Sequence, residues 1–180
     1  SPTTAQHHNF VDIVQRSRSM GSVLKPLLFA SMLDAGEILP ATLVADIPTS
    51  INGYQPQNFD RKYYGAVPAD VALARSLNVP SVRMLRAYNY QRFYNDLKKT
   101  DLKSLDKPAD YYGLSLILGG AEGSLWEITK TYAGMASALN FYQYSSSEYR
   151  EIKNADRVLI KIQNTDFEIY EKKHTKWEPG

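Results

Sequence analysis

The sequence predicts a mainly helical α+β fold. Two segments, residues 22–35 and 124–140, place apolar side chains at helical spacing over several turns. Three shorter segments, residues 69–76, 81–88 and 90–99, are rich in helix formers, and the first two open directly after a proline. Strand-like alternation is confined to short stretches near the two ends.

The elements follow in order. Residues 10–14, Phe-Val-Asp-Ile-Val, alternate and are β-rich, which predicts a short strand. In residues 22–35, Leu24, Leu27, Leu28, Ser31 and Met32 share one helical face. Pro26 falls in the first turn, where a missing N–H is tolerated, and Gly36 stands where a C-terminal cap belongs. Residues 37–67 read as irregular, punctuated by Pro40, Pro48, Gly53, Pro56 and Gly65. Pro68 and Pro80 open the second and third helices, and residues 90–99 form the fourth. A polar segment with Pro108 and an apolar run stopped by glycines at 119, 120 and 123 precede the longest helix. Leu125, Ile128, Tyr132, Met135 and Leu139 line its apolar face. The tail, residues 141–180, matches no known pattern; residues 157–162 and 167–172 alternate around Gln-Asn-Thr-Asp and predict a hairpin.

Composition narrows the chemistry. The formal charge of +2 over 180 residues is too small to argue for nucleic acid as a partner. With no cysteine, Cys nucleophiles, disulfides and thiolate metal sites are excluded. The three histidines, at positions 7, 8 and 174, have no metal-ligand spacing, so neither a metal nor another cofactor is expected. No stretch has the length of an apolar membrane span and no signal peptide is present; both ends read as cuts within a longer protein.

One candidate dyad stands out. Ser22 lies three residues before Lys25 at a helix start, and a serine hydroxyl needs a base to become a nucleophile. The helix N-terminus would add N–H donors and positive potential for a developing oxyanion. Lys25 would act as a base only when neutral, which at pH 7 costs roughly 4 to 5 kcal/mol from an ordinary lysine pKa. The spacing alone is weak: a chain with 15 serines is expected to show it about once by chance, and Ser104–Lys107 repeats it in a polar loop. Of two Ser-x-Asn tripeptides, Ser50-Ile51-Asn52 precedes Gly53 and reads as a turn. Ser76-Leu77-Asn78 sits between two helices, where its side chains are either site residues or helix caps; spacing leaves both readings open.

Together these residues resemble the transpeptidase domain of class A penicillin-binding proteins, whose motifs are S-x-x-K, S-D-N and K-T-G. The likeness extends over three stretches: RSRSMGSVLKP (residues 16–26), GYQPQNFDRKYYGAVPADVALARSLNVPSVRML (53–85) and YGLSLILGGAEGSLWEITKTYAGMASAL (112–139). It covers residues 8–140 and leans toward the type 1C branch. It implies the helical core of the penicillin-recognising serine transpeptidase (β-lactamase-like) fold, with much of the antiparallel sheet missing, in a partial domain spanning residues 1–180. By this resemblance Ser22 is the nucleophile, Lys25 its base, Ser76 a proton relay to the leaving amine, and Asn78 a holder of a substrate amide. The Ser22 N–H would form half of the oxyanion hole. Peptidoglycan stem peptides ending in D-Ala-D-Ala and β-lactams are the implied partners. The implied setting is the periplasmic side of the inner membrane, in a membrane-anchored parent.

The K-T-G triplet is absent: Lys99-Thr100 runs into Asp101, and Lys130-Thr131 into Tyr132. The resemblance places that strand beyond Gly180 and leaves the activity of these residues alone as the open point. Exposed strand edges would favour self-association. Two rivals share the dyad. A class A β-lactamase needs a deacylating glutamate after S-x-N, and no Glu occurs between Glu37 and Glu122. A non-catalytic penicillin-sensor or scaffold domain would keep the fold without turnover.

Overall fold

The computed structural model describes residues 14–100 and 102–144, with side chains as far as residue 137. The strand expected over residues 10–14 lies outside this range except for Val14, which sits in a bend, and the tail hairpin lies wholly outside it. Two units divide the described chain: residues 17–98 with 104–123 form one, and the other carries the helix that follows Ser124.

In chain order the first unit holds β1 (Arg18–Ser19), α1 (Lys25–Asp34), β2 (Leu43–Asp46), β3 (Gly65–Pro68), α2 (Ala69–Ala74), α3 (Asn78–Tyr88), α4 (Tyr90–Lys98), α5 (Ala109–Tyr112), a 3-10 helix (Gly113–Leu118) and β4 (Glu122–Gly123). α3 is the central element. It packs on α1, α2, α4, β2 and the 3-10 helix, and it buries Val79, Val82 and Leu85 completely against a core that includes Leu24, Leu28, Phe93, Leu116 and Ile117.

α1 starts three residues later than its apolar pattern implies, at Lys25 rather than Ser22. The cause is Pro26: a helix begun at Ser22 would require a Pro26 N–H to reach the Ser22 carbonyl. Instead Lys25 N donates to Ser22 O at 3.1 Å, closing a tighter turn ahead of the helix. The other end follows the sequence. Gly36 takes φ +69°, with Gly36 N bonded to Leu33 O at 3.0 Å and Glu37 N to Met32 O at 2.9 Å, a complete Schellman cap.

The stretch read as irregular contains a two-stranded antiparallel ribbon, β2 with β3, running from the Leu43–Pro68 pair to the Asp46–Gly65 pair. Within the connection, Asn52 and Gly53 both take positive φ and Ile51 and Tyr54 exchange backbone bonds of 2.9 Å, the tight turn that Asn-Gly favours. A second ribbon joins β1 to β4, Arg18 opposite Gly123 and Ser19 opposite Glu122. The fold class is therefore as expected: mainly helical, with only small antiparallel sheets.

In the second unit α6 (Leu125–Tyr144) runs four residues further than expected. Ser124 and Glu127 form a capping box: Glu127 N donates to Ser124 Oγ at 3.2 Å, and Ser124 N donates to Glu127 Oε2 at 2.9 Å. Of the expected apolar face, Leu125 is exposed, Ile128, Tyr132 and Met135 are half-buried, and Leu139 lies beyond the described side chains.

Candidate active site

Lys25 is the first residue of α1 and is buried, with 3% of its surface exposed. Its Nζ donates to Asn78 Oδ1 at 2.7 Å, Ser76 O at 2.8 Å and Ser76 Oγ at 3.1 Å. Burial lowers its pKa to about 8. That covers most of the descent a lysine base must make and leaves roughly one Lys25 in ten neutral at pH 7. The set of partners also sorts the protons. An ammonium donates to all three acceptors. A neutral amine keeps two N–H groups, which match the two carbonyl oxygens, and turns a lone pair toward a hydroxyl. Ser76 Oγ is the one partner of the three that can switch from acceptor to donor.

The Ser76–Asn78 segment is held in an unusual way. α2 ends in a second Schellman cap, with Leu77 N bonded to Ala72 O at 2.9 Å and Ser76 N to Leu73 O at 2.8 Å. Ser76 occupies the left-handed position of that cap at φ +52°. Glycine is the usual occupant, because a Cβ there costs roughly 1–2 kcal/mol. α3 then begins at Asn78, two residues ahead of Pro80. Neither Ser76 nor Asn78 caps a helix with its side chain: Leu77 holds the N-cap position without a side-chain bond, and the Asn78 amide spans from Lys25 Nζ to Gln57 O, the latter at 2.9 Å. Ser76 thus closes the cap of α2 through its backbone, while the side chains of both residues turn to Lys25.

Ser22 lies in the exposed turn just before α1. Its hydroxyl is outside the hydrogen-bond set of Lys25, and among the described residues neither its Oγ nor its N–H has a protein partner. The turn is anchored from the β1–β4 side. Met20 N donates to Ala121 O at 3.0 Å, and Ser19 Oγ donates to Gly119 O at 2.8 Å. The structure thus brings Lys25, Ser76 and Asn78 into direct contact and sets Ser22 one turn ahead of Lys25. The competing Ser104–Lys107 pair forms nothing comparable: Lys107 is exposed and paired with Asp106 at 3.1 Å.

Two polar residues beside the site carried no sequence signal of their own, Asp46 and Asn58. Asn58 Oδ1 accepts the Asn78 N–H at 2.9 Å, and its Nδ2 donates to Asp46 Oδ1 at 2.8 Å. Tyr63 and Tyr64 are partly exposed. Tyr64 is engaged locally, with the Arg75 guanidinium 3.8 Å over its ring and its hydroxyl on Asp60.

Residues 2–146 match the family model of the penicillin binding protein transpeptidase domain. Among curated proteins, penicillin-binding protein 1C of Escherichia coli K12 is 41% identical over 126 residues, covering 70% of this chain. Penicillin-binding protein 1B of Vibrio cholerae is 36% identical over 84 residues, covering 43% of this chain. The chain spans 16% of the length of the first relative and 11% of the second. Among solved structures, a penicillin-binding protein of Mycobacterium tuberculosis superimposes with a TM-score of 0.64 at 20% identity, over 72% of this chain and 37% of that one. Penicillin-binding protein 1A of Haemophilus influenzae gives 0.59 at 24% identity, over 69% of this chain and 19% of that one.

Proposed function

Because the chain belongs to the transpeptidase domain family of penicillin-binding proteins, we propose that it is the acyl-enzyme-forming part of a D,D-transpeptidase that cross-links peptidoglycan stem peptides. Residues 8–140 are the helical core of that partial domain, and the parent protein works on the periplasmic face of the inner membrane. The observation that carries this reading is the buried Lys25, held between Ser76 and Asn78 and already shifted toward neutrality.

The steps follow from the chemistry of those groups. Neutral Lys25 takes the proton of Ser22 Oγ as the oxygen attacks the carbonyl of the penultimate D-Ala. The Ser22 N–H, without a protein partner among the described residues and one turn ahead of α1, meets the developing oxyanion. The proton on Lys25 passes through the Ser76 hydroxyl to the nitrogen of the departing D-Ala, and the C–N bond breaks. Asn78, whose side chain is fixed at both ends, offers its amide to the peptide. An acceptor amine then attacks the ester and returns Ser22 to its hydroxyl form. β-Lactams enter the same path, and their acyl-enzyme persists because no Glu follows the Ser76–Asn78 motif before Glu122 to activate a deacylating water. No Lys-Thr-Gly triplet occurs among the 180 residues, and the lack of one oxyanion donor slows acyl transfer on the order of 100- to 1000-fold.

The test is labelling with a fluorescent penicillin. The reading expects a covalent label that survives denaturation, is blocked by prior benzylpenicillin, and is absent from Ser22→Ala. Rapid hydrolysis of a chromogenic cephalosporin without label retention would point to a β-lactamase instead. A folded chain that takes up no label over many hours would contradict the reading. Self-association through the edges of the two-stranded ribbons belongs to the same proposal, and a monodisperse monomer by light scattering at high concentration would count against it.

A further inference from the structure

Asp46 and Asn58 are polar side chains buried beside the site, with 0% and 3% of their surface exposed. Asn58 uses every hydrogen-bonding position of its amide. Nδ2 donates to both Asp46 carboxylate oxygens, at 2.8 and 3.0 Å, and to Lys62 O at 2.8 Å. Oδ1 accepts from Asn78 N at 2.9 Å and Val79 N at 3.2 Å. Asp46 Oδ2 also accepts Tyr64 N at 2.9 Å.

These bonds solve a problem that the sequence creates. The N-cap N–H and the first three N–H positions of a helix have no partner within it, and here the N-cap donor, Leu77 N, is taken by Ala72 O. In α3 the third helical position is Pro80, which has no N–H, and the N-cap residue is Leu77, which cannot supply an oxygen. Asn58, twenty residues upstream, therefore caps both remaining donors. The cap from a distance leaves the Asn78 side chain free to face Lys25. The neighbouring Gln57 carbonyl then fixes the far end of that side chain. Residues 57 and 58 so grip Asn78 by backbone and side chain at once.

We propose that Asp46 and Asn58 are positioning residues for the active site, setting the Asn78–Lys25 contact through the N-terminus of α3. This rests on the function proposed above. The geometry demands an acceptor on one side of residue 58 and a donor on the other. Aspartate at 58 would keep the cap but set carboxylate against carboxylate. Exchanging both, Asn58→Asp with Asp46→Asn, restores opposite character across the pair but leaves Lys62 O without its donor.

The experiment compares the parent chain with Asn58→Asp, Asp46→Asn and the double exchange, and follows two readouts. One is the rate of fluorescent-penicillin labelling. The other is the NMR titration of the Lys25 13Cε, which needs no activity. Among the described residues Nζ meets only the neutral partners Ser76 and Asn78, so its titration reports their placement. In Asn58→Asp, labelling falls on the order of tenfold to a hundredfold, and Lys25 titrates nearer to the ordinary lysine range as water reaches it. The double exchange recovers part of both changes, the Lys62 O bond staying lost. If Asn58→Asp does not fold, the milder Asp46→Asn carries the test, with smaller shifts in the same directions. A folded Asn58→Asp or Asp46→Asn whose Lys25 titration matches the parent would overturn the proposal, and so would a double exchange that recovers stability but neither readout. Absence of label on the parent itself would remove the functional reading, while the Lys25 titration would still decide the positioning role.

Discussion

Lys25 Nζ and Asn78 Oδ1 meet at 2.7 Å across 53 residues of sequence, joining the first residue of α1 to the first residue of α3. The contact puts the proposed base against a carbonyl oxygen that can only accept a hydrogen bond. Burial, not a neighbouring cation, is what lowers the lysine, so its neutral fraction at pH 7 is larger than that of an exposed lysine.

The pH dependence of acylation follows directly. The reactive form is the neutral amine, so labelling by penicillin rises about tenfold per pH unit below about 8 and levels off above it. A stopped or timed labelling series from pH 6 to 10, corrected for hydrolysis of the drug, measures this. A profile flat through pH 8 would show that Lys25 is not the base.

Asn78→Asp places a carboxylate where a neutral oxygen now accepts the ammonium. An opposite charge at that range favours the protonated lysine. The midpoint of the labelling profile is then expected to move up by about one unit or more, with slower labelling at pH 7 and partial recovery at pH 9. The same substitution without a shifted midpoint would mean that Asn78 does not govern the Lys25 proton.

Ser76 bears a conformational cost for its place in the site. At φ +52° a glycine is relieved of the Cβ that both serine and alanine carry. Ser76→Gly is expected to be more stable than Ser76→Ala by about 1 kcal/mol, a difference of about 2–4 °C in Tm for a chain of this size. Both lose the hydroxyl proposed to relay the proton, so both are expected to label slowly. Thermal melts of the pair suffice, and an alanine variant at least as stable as the glycine one would refute the strained placement.

Gly119 is fixed by close approach. It takes φ +99°, and a Cβ there would lie 2.5 Å from Ser19 Oγ and 3.1 Å from the backbone of Gly21, the residue before Ser22. Gly119→Ala is expected to cost about 1–3 kcal/mol and to slow acylation by shifting the Ser22 turn. Chemical denaturation and labelling rates report the two effects separately.

Local chemistry was legible in the sequence. Gly36 closes α1 and Asn52-Gly53 makes a tight turn because glycine and asparagine accept positive φ at low cost. Ser22, Lys25, Ser76 and Asn78 stood out through the longer stretches around them, since Ser-x-x-Lys and Ser-x-Asn spacing alone left other readings open. What stayed hidden depends on partners far along the chain. The β2–β3 ribbon pairs two unremarkable tetrapeptides, Leu43–Asp46 and Gly65–Pro68, whose register is set by tertiary packing. The late start of α1 follows from one missing N–H at Pro26, which an apolar periodicity does not record. Asp46 and Asn58 look like ordinary loop polar residues until burial shows what they hold.

The central claim is that Ser22 is a nucleophile activated by Lys25. Its most direct test is the intact mass of the chain before and after benzylpenicillin, followed by fragmentation of the modified peptide, with Ser22→Ala and Lys25→Met beside it. The account predicts one added penicilloyl group, located on Ser22, absent from Ser22→Ala and nearly absent from Lys25→Met. A penicilloyl group on another residue, or equal modification of Ser22 when Lys25 is methionine, would contradict it.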